Sequence, residues 1–219
     1  MAQPYRHLGV DIGLSGVIKW INIGGANSEA AGMRVITSSP DQFEGAYAHQ
    51  LLWDCLALLE SPLSSRDIEI LWLAGTFRAV DLEELGIDGR DWLSRIVESC
   101  VERIRHDDPS YTPTAATPEV DEVVKEAVRT EIRSVGPALE QATAHNSFNP
   151  LAGVVPALEQ VVDVDPDLAF RLLLRALKGY FVRISEVRYE RYLALGDELG
   201  LGEDVVDDTD FNIWPEMNE

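Results

Sequence analysis

From Asp88 to Leu195 apolar residues return at three- and four-residue steps, and the breaks between these stripes read as helix starts and stops. Trp92, Leu93, Ile96, Val97, Cys100, Val101 and Ile104 make one stripe, closed by the polar run His106-Asp107-Asp108-Pro109. Thr117-Pro118-Glu119 opens the next, with a capping hydroxyl, proline at the first helical position and acid in the first turn. Val120, Val123, Val124, Ala127, Val128 and Ile132 follow, and Gly136-Pro137 predicts its end. Asp165-Pro166-Asp167 starts the most apolar helix, which turns Leu168, Leu172, Leu173, Ala176, Leu177, Tyr180 and Phe181 inward. Ser185 caps a last helix, and Gly196, Gly200 and Gly202 end it. A chain punctuated in this way folds its second half as stacked helices.

The first third reads differently. His7 to Ile12, Gly16 to Ile23 and Gly32 to Thr37 are short apolar runs separated by glycine-rich breaks, which predicts an antiparallel meander. Ser39-Pro40-Asp41 then opens a helix whose face is Phe43, Tyr47, Leu51, Cys55, Leu58 and Leu59. Ile68 to Ala74 is a fourth apolar run, bounded by Gly75. The expected fold class is therefore α+β, a small N-terminal β-meander with one packed helix, followed by a mainly α-helical remainder. Residues 1–109 form the first part, 110–116 a proline- and threonine-bearing linker, and 117–219 the helical part with its acidic tail, the two sharing one core.

Charge narrows the function. The chain carries 38 acidic against 18 basic side chains, a formal charge of −20 at pH 7. A phosphate backbone meets repulsion on such a surface, which disfavours nucleic acid as a partner. Only Lys19, Lys125 and Lys178 are lysines, the other basic residues being arginines. Abundant carboxylates suit a solvated surface in a GC-rich or salt-loving host, and equally a face that attracts a basic partner. Residues 1–9 lack a basic-then-apolar leader, and no apolar stretch approaches the roughly 20 residues of a membrane span, so the expected compartment is the cytoplasm with no membrane contact. Cys55 and Cys100 sit on helical stripes, where buried reduced thiols behave as small hydrophobes.

One local motif points toward chemistry. Leu8-Gly9-Val10-Asp11-Ile12-Gly13-Leu14-Ser15-Gly16 joins an apolar run to Asp-x-Gly and a small-residue turn. It resembles the opening of the ribonuclease-H-like superfamily, Holliday-junction resolvases and actin-like sugar kinases above all. The order of runs over about residues 8–74 is similar to that fold. The resemblance implies a Mg²⁺-dependent nuclease or phosphotransferase in which Asp11 holds the metal and the glycine turn admits phosphate. The chain departs from that pattern at the fourth run, which ends Leu73-Ala74-Gly75-Thr76 with no second acid. Read on its own residues, Asp11 caps a glycine-rich turn.

Other chemical signatures are sparse. Asp163-Val164-Asp165-Pro166-Asp167 lacks the glycine and glutamate of a calcium loop and reads as helix capping. His7, His49, His106 and His145 show no metal-binding spacing, and no phosphate loop, dinucleotide fingerprint or nucleophile elbow occurs.

The C-terminal end carries a second resemblance. Ile184-Ser185, Tyr189, Tyr192, Leu195-Gly196 and Gly200-Leu201-Gly202-Glu203 look like the ends of small acidic bacterial immunity and antitoxin-type proteins, over about 25 residues. That resemblance implies a non-catalytic protein without a cofactor, which neutralises or chaperones a basic protein partner. Asp204, Asp207, Asp208 and Asp210 would steer the encounter, and Trp214 would anchor it.

Overall fold

The computed structural model describes residues 10–23, 29–38, 45–114, 121–207 and 210–217, and almost all of the regular structure among them is helical. Helix α1 spans Leu14–Ile23, α2 Glu29–Ser38, α3 Ala46–Glu60 and α4 Ser65–Gly75. A single turn, α5, covers Leu82–Leu85, and α6 runs over Gly89–Asp107. Then come α7 (Glu122–Ala144), α8 (Val154–Val164), α9 (Pro166–Gly179), α10 (Glu186–Glu198) and the short α11 (Glu203–Val206). The described strands are two residues each, β1 at Arg183–Ile184 and β2 at Asn212–Ile213. They pair in parallel, Arg183 opposite Asn212 and Ile184 opposite Ile213.

The expected α+β class with an N-terminal antiparallel meander is thus overturned; the chain is mainly α. The reason lies in spacing. Leu14, Val17, Ile18 and Ile21 stand at i, i+3, i+4 and i+7, and all four are buried as one helical stripe. Burial on that stripe outweighs the modest strand preference of the β-branched residues among them. The run from Ile68 to Ala74 is helical for a different reason. Ser64 starts α4 with a reciprocal capping box, its side chain accepting from the Asp67 N–H while Asp67 accepts from the Ser64 N–H. Gly32 to Thr37 lies within α2. The part of the first expected strand before Val10 falls outside the described residues, as do 39–44 and the Thr117-Pro118 start signal.

The second half follows its punctuation closely. Asp165 and Ser185 cap α9 and α10 as expected, and Asp88, where the helical pattern begins, is the N-cap of α6. One stop fails: α7 runs through Gly136-Pro137 to Ala144. One buried cluster extends from Ile12 to Val206, with α3 packed along α6 and α7 along α8. At its centre α9 touches α1, α4, α7 and α8, and every residue from Pro166 to Lys178 is buried. No helix among the described residues is long and apolar enough to cross a membrane.

Candidate functional site

A helix buried on all sides should be apolar on all sides, and α9 is not. Asp167, Arg171, Arg175 and Lys178 recur at steps of four, four and three, so they form one polar stripe along it. The stripe joins two structures: a sealed network of acids and guanidinium groups at its start, and an open cleft at its end.

Arg171 is the hub of the network. Its Nη1 and Nη2 donate to Asp54 Oδ2 and Oδ1, both at 2.9 Å, the fork-to-fork geometry that suits a guanidinium and a carboxylate. Nη2 also reaches Asp167 Oδ2 at 3.1 Å, and Nη1 reaches Ser15 Oγ at 2.9 Å. Burial alone disfavours the charge on Arg171, but the adjacent Asp167 and Asp54 outweigh it and hold the guanidinium protonated. Asp54 has a second task, accepting from the Leu14 N–H at 2.8 Å and so capping α1 from α3. Gln50 Nε2 donates to its other oxygen at 2.8 Å.

The Gly13-to-Gly16 turn is shaped around this network. Gly13 adopts φ +81°, and a side chain there would strike the Asp54 carboxylate; one at Gly16 would strike the Asp11 carbonyl and the Tyr47 hydroxyl. The close approach that the glycines permit is therefore taken by Asp54. Asp11 lies just before α1, follows no described strand, and accepts from Ser15 Oγ at 2.5 Å through Oδ1. Its Oδ2 pairs with Arg175 Nε at 3.3 Å. The strand frame behind the ribonuclease-H-like resemblance is absent from the described residues, and the positive charges beside Asp11 and Asp54 are guanidinium groups. Among the described residues, no group of three or more His, Cys, Asp or Glu side chains is placed to hold a metal ion. Cys55 and Cys100 are free and buried, and burial pushes both thiols up, so neither is a ready nucleophile.

At its other end the polar stripe meets a cleft of about 1010 Å³, to which α1, the residues following α4, α9 and the β2 segment contribute. Arg175 borders it on one side and faces Asp11 on the other. Lys178 Nζ donates to the Val206 carbonyl at 2.9 Å and lies 4.4 Å from the centre of the Phe211 ring. Lys19 and Arg78 also line the cleft, with Arg78 paired to Asp81. Two of the chain's three lysines thus stand at one opening of a strongly acidic protein.

Helix ends shape the rim. Beyond α4 the Arg78 N–H returns to the Leu73 carbonyl at 3.0 Å, and beyond α9 the Val182 N–H returns to the Leu177 carbonyl at 2.9 Å. Such closures normally place glycine in the left-handed position, yet here they use Phe77 (φ +50°) and Phe181 (φ +51°), with Arg78 also at φ +58°. Phe77 rests edge-on against Tyr180, with ring centres 4.9 Å apart. Phe181, expected to face inward, is 71% exposed. Asn22 Nδ2 donates to the carbonyl of Gly75, the last residue of α4, at 2.8 Å, and Asn212 Nδ2 donates to the Phe181 carbonyl just beyond α9 at 2.7 Å.

The acidic tail docks beside this opening. Asp204 is exposed on α11, Asp207 is half-buried, Asp210 is exposed on the cleft rim, and Asp208 lies outside the described residues. The Trp214 N–H donates to the Ile184 carbonyl at 2.8 Å, and its ring lies 4.1 Å from the Arg183 guanidinium carbon. It remains 45% exposed. Sequence reasoning missed Asp54, Arg171, Arg175 and Lys178, although charged residues repeating at helical steps inside the most apolar helix were the signal. Comparison with protein-family models, curated proteins and solved structures gives no match.

Proposed function

We propose that this chain is a non-catalytic binding protein of the inhibitor or immunity kind, which neutralises or chaperones a basic protein partner through its carboxylate-rich exterior. The observation that carries this reading is the partition of charge. Among the described residues the exposed cations are Arg34, Arg66, Arg105, Arg133 and Arg183, whereas exposed acids occur on most of the longer helices and along the tail. Arg171, Arg175, Lys178 and Arg188 are buried. No lysine or arginine follows Arg191, so the exposed Asp197, Glu198, Asp204, Asp210 and Glu216 belong to a stretch with no cation of its own. A field of one sign speeds encounter with an opposite surface and rejects like-charged ones. Trp214, half-exposed at the edge of that stretch, supplies the kind of amphipathic ring on which interfaces centre.

The test begins with capture of the partner from the organism's own lysate, followed by association kinetics with the purified partner. Replacing Asp204, Asp207, Asp208 and Asp210 together by asparagine slows association about tenfold at low salt and flattens its salt dependence. A captured partner that is not basic, or an association rate that the fourfold variant leaves untouched at low salt, overturns the reading.

A further inference from the structure

A basic partner needs a place to dock, and at the end of α9 the acidic tail meets exposed apolar surface. Asp210, Phe211 and Asn212 of the tail belong to the lining of the cleft there. The cations in that lining are committed within the fold. Arg78 pairs with Asp81, Arg175 with Asp11, Lys178 donates to the Val206 carbonyl, and Lys19 is engaged as well. Glu84 and Asp210, both exposed in the same lining, form no ion pair among the described residues.

Apolar side chains gather at the same opening. Ile23 and Phe181 are exposed and line the cleft. Trp214 continues the patch: its Nε1 donates to Asn212 Oδ1 at 2.8 Å, and Asn212 in turn holds the Phe181 carbonyl. Phe181 keeps a left-handed backbone that glycine adopts without steric cost, and its outward ring returns little burial to the fold. Phe77 and Phe211 add two more rings to the lining, and the volume of about 1010 Å³ has room for a bulky side chain. An apolar centre bordered by charge is the anatomy of a protein interface, in which a buried anchor supplies affinity and the border selects the partner. A second copy of this chain, at formal charge −20, would bring like charge to that border.

We propose that the basic partner docks on this cleft through an aromatic side chain flanked by arginine or lysine. The ring enters among Phe77, Phe181 and Phe211, and the flanking cations meet Glu84 and Asp210. This docking site rests on the basic-partner reading and adds to it where the partner binds and what its contact segment contains.

The probe is the acetylated and amidated peptide Arg-Arg-Trp-Arg-Arg, compared by titration calorimetry at low salt with Arg-Arg-Ala-Arg-Arg. One tryptophan peptide binds per chain, about tenfold more tightly than the alanine peptide. Glycine suits the left-handed backbone at 181, so Phe181→Gly retains a near-native melting temperature. It erases the preference for tryptophan and leaves the alanine peptide unaffected. Glu84→Gln combined with Asp210→Asn weakens both peptides severalfold. Equal affinity for the two peptides, several peptides per chain, or native tryptophan-peptide affinity in Phe181→Gly would overturn the docking site. A captured basic partner that binds Phe181→Gly and the native protein alike removes the site and leaves the basic-partner reading standing. Peptide binding as expected, with a captured partner that is not basic, removes that reading and leaves the cleft as a receptor for aromatic cationic segments.

Discussion

Asp165 shows how one residue carries two roles with opposite electrostatic demands. As the N-cap of α9 its Oδ1 accepts from the Leu168 N–H at 3.1 Å, which favours the carboxylate. Burial, and then the neighbouring Asp167, penalise that charge more strongly, and the carboxyl is pushed up from 3.8 to about 6. The folded state therefore binds this proton more tightly than the unfolded chain does. The stabilisation is complete below the ordinary carboxyl value and disappears as pH rises through about 6. An Asp165→Asn variant keeps a capping oxygen and loses the titration. Urea unfolding of both proteins at a series of pH values should show native stability declining relative to the variant between about pH 4 and pH 7, on the order of 1 kcal/mol. A difference that stays flat across that interval would mean the carboxyl titrates normally.

Helix α7 is where an element-scale rule yields to packing. Proline inside a helix lacks the N–H that the preceding turn expects and crowds its carbonyl, a penalty near 3 kcal/mol relative to alanine. The helix nevertheless continues past Pro137, because residues on both sides of it are anchored. Val128, Ile132, Val135 and Leu139 form one buried stripe. Arg129 and Arg133 reach across to Asp163 and Glu159 on the neighbouring α8, each at 2.7 Å. At Gly136 the Val155 methyl groups come close to the backbone. Pro137 itself is exposed, so its replacement disturbs no packing. Pro137→Ala should raise stability by about 2 kcal/mol in chemical denaturation, the helix gain less the loss of a stiffer unfolded chain. A fall in stability would show that the proline ring braces a kink the fold needs.

The same competition decides what the sequence made legible. Caps at Asp165 and Ser185 were readable because they are local hydrogen bonds. Helices α1 and α4 were misread as strands because short apolar runs rich in isoleucine satisfy both periods, and the deciding cues were the Leu14-to-Ile21 spacing and the Ser64–Asp67 box. The boundary of α4 at Gly75 was legible, whereas the end of α9 was hidden because Phe181 takes the left-handed position where glycine is the usual signal. At the site, Asp54 and Asp11 meet Arg171 and Arg175 across more than a hundred residues of sequence, a pairing that no local pattern encodes.

Across the whole molecule, charge is sorted by depth, and this has a measurable consequence for stability. Carboxylates dominate the exterior of a chain with formal charge −20, while Arg171, Arg175, Lys178 and Arg188 are drawn inside. Like charges repel more in the compact state than in the expanded one, so the exterior field opposes folding. Salt acts on two opposed quantities. It weakens exposed ion pairs such as Arg133–Glu159 and Arg103–Asp107, each worth at most about 1 kcal/mol, and it relieves repulsion among the more numerous exposed acids. The buried Arg171 network is largely out of reach of mobile ions. Repulsion is the larger quantity here, because few exposed cations are available to lose partners. Moving from low salt to about 0.5 M sodium chloride should therefore stabilise the protein by roughly 1–2 kcal/mol, about 3–6 °C in melting temperature for a chain of this size. The fourfold Asp→Asn variant of the tail should respond less steeply. A melting temperature that falls with salt would mean that surface ion pairs, rather than self-repulsion, dominate the exterior. A basic partner relieves the same repulsion, so in the complex the salt response should shrink or reverse: salt then weakens the attraction that binding has created.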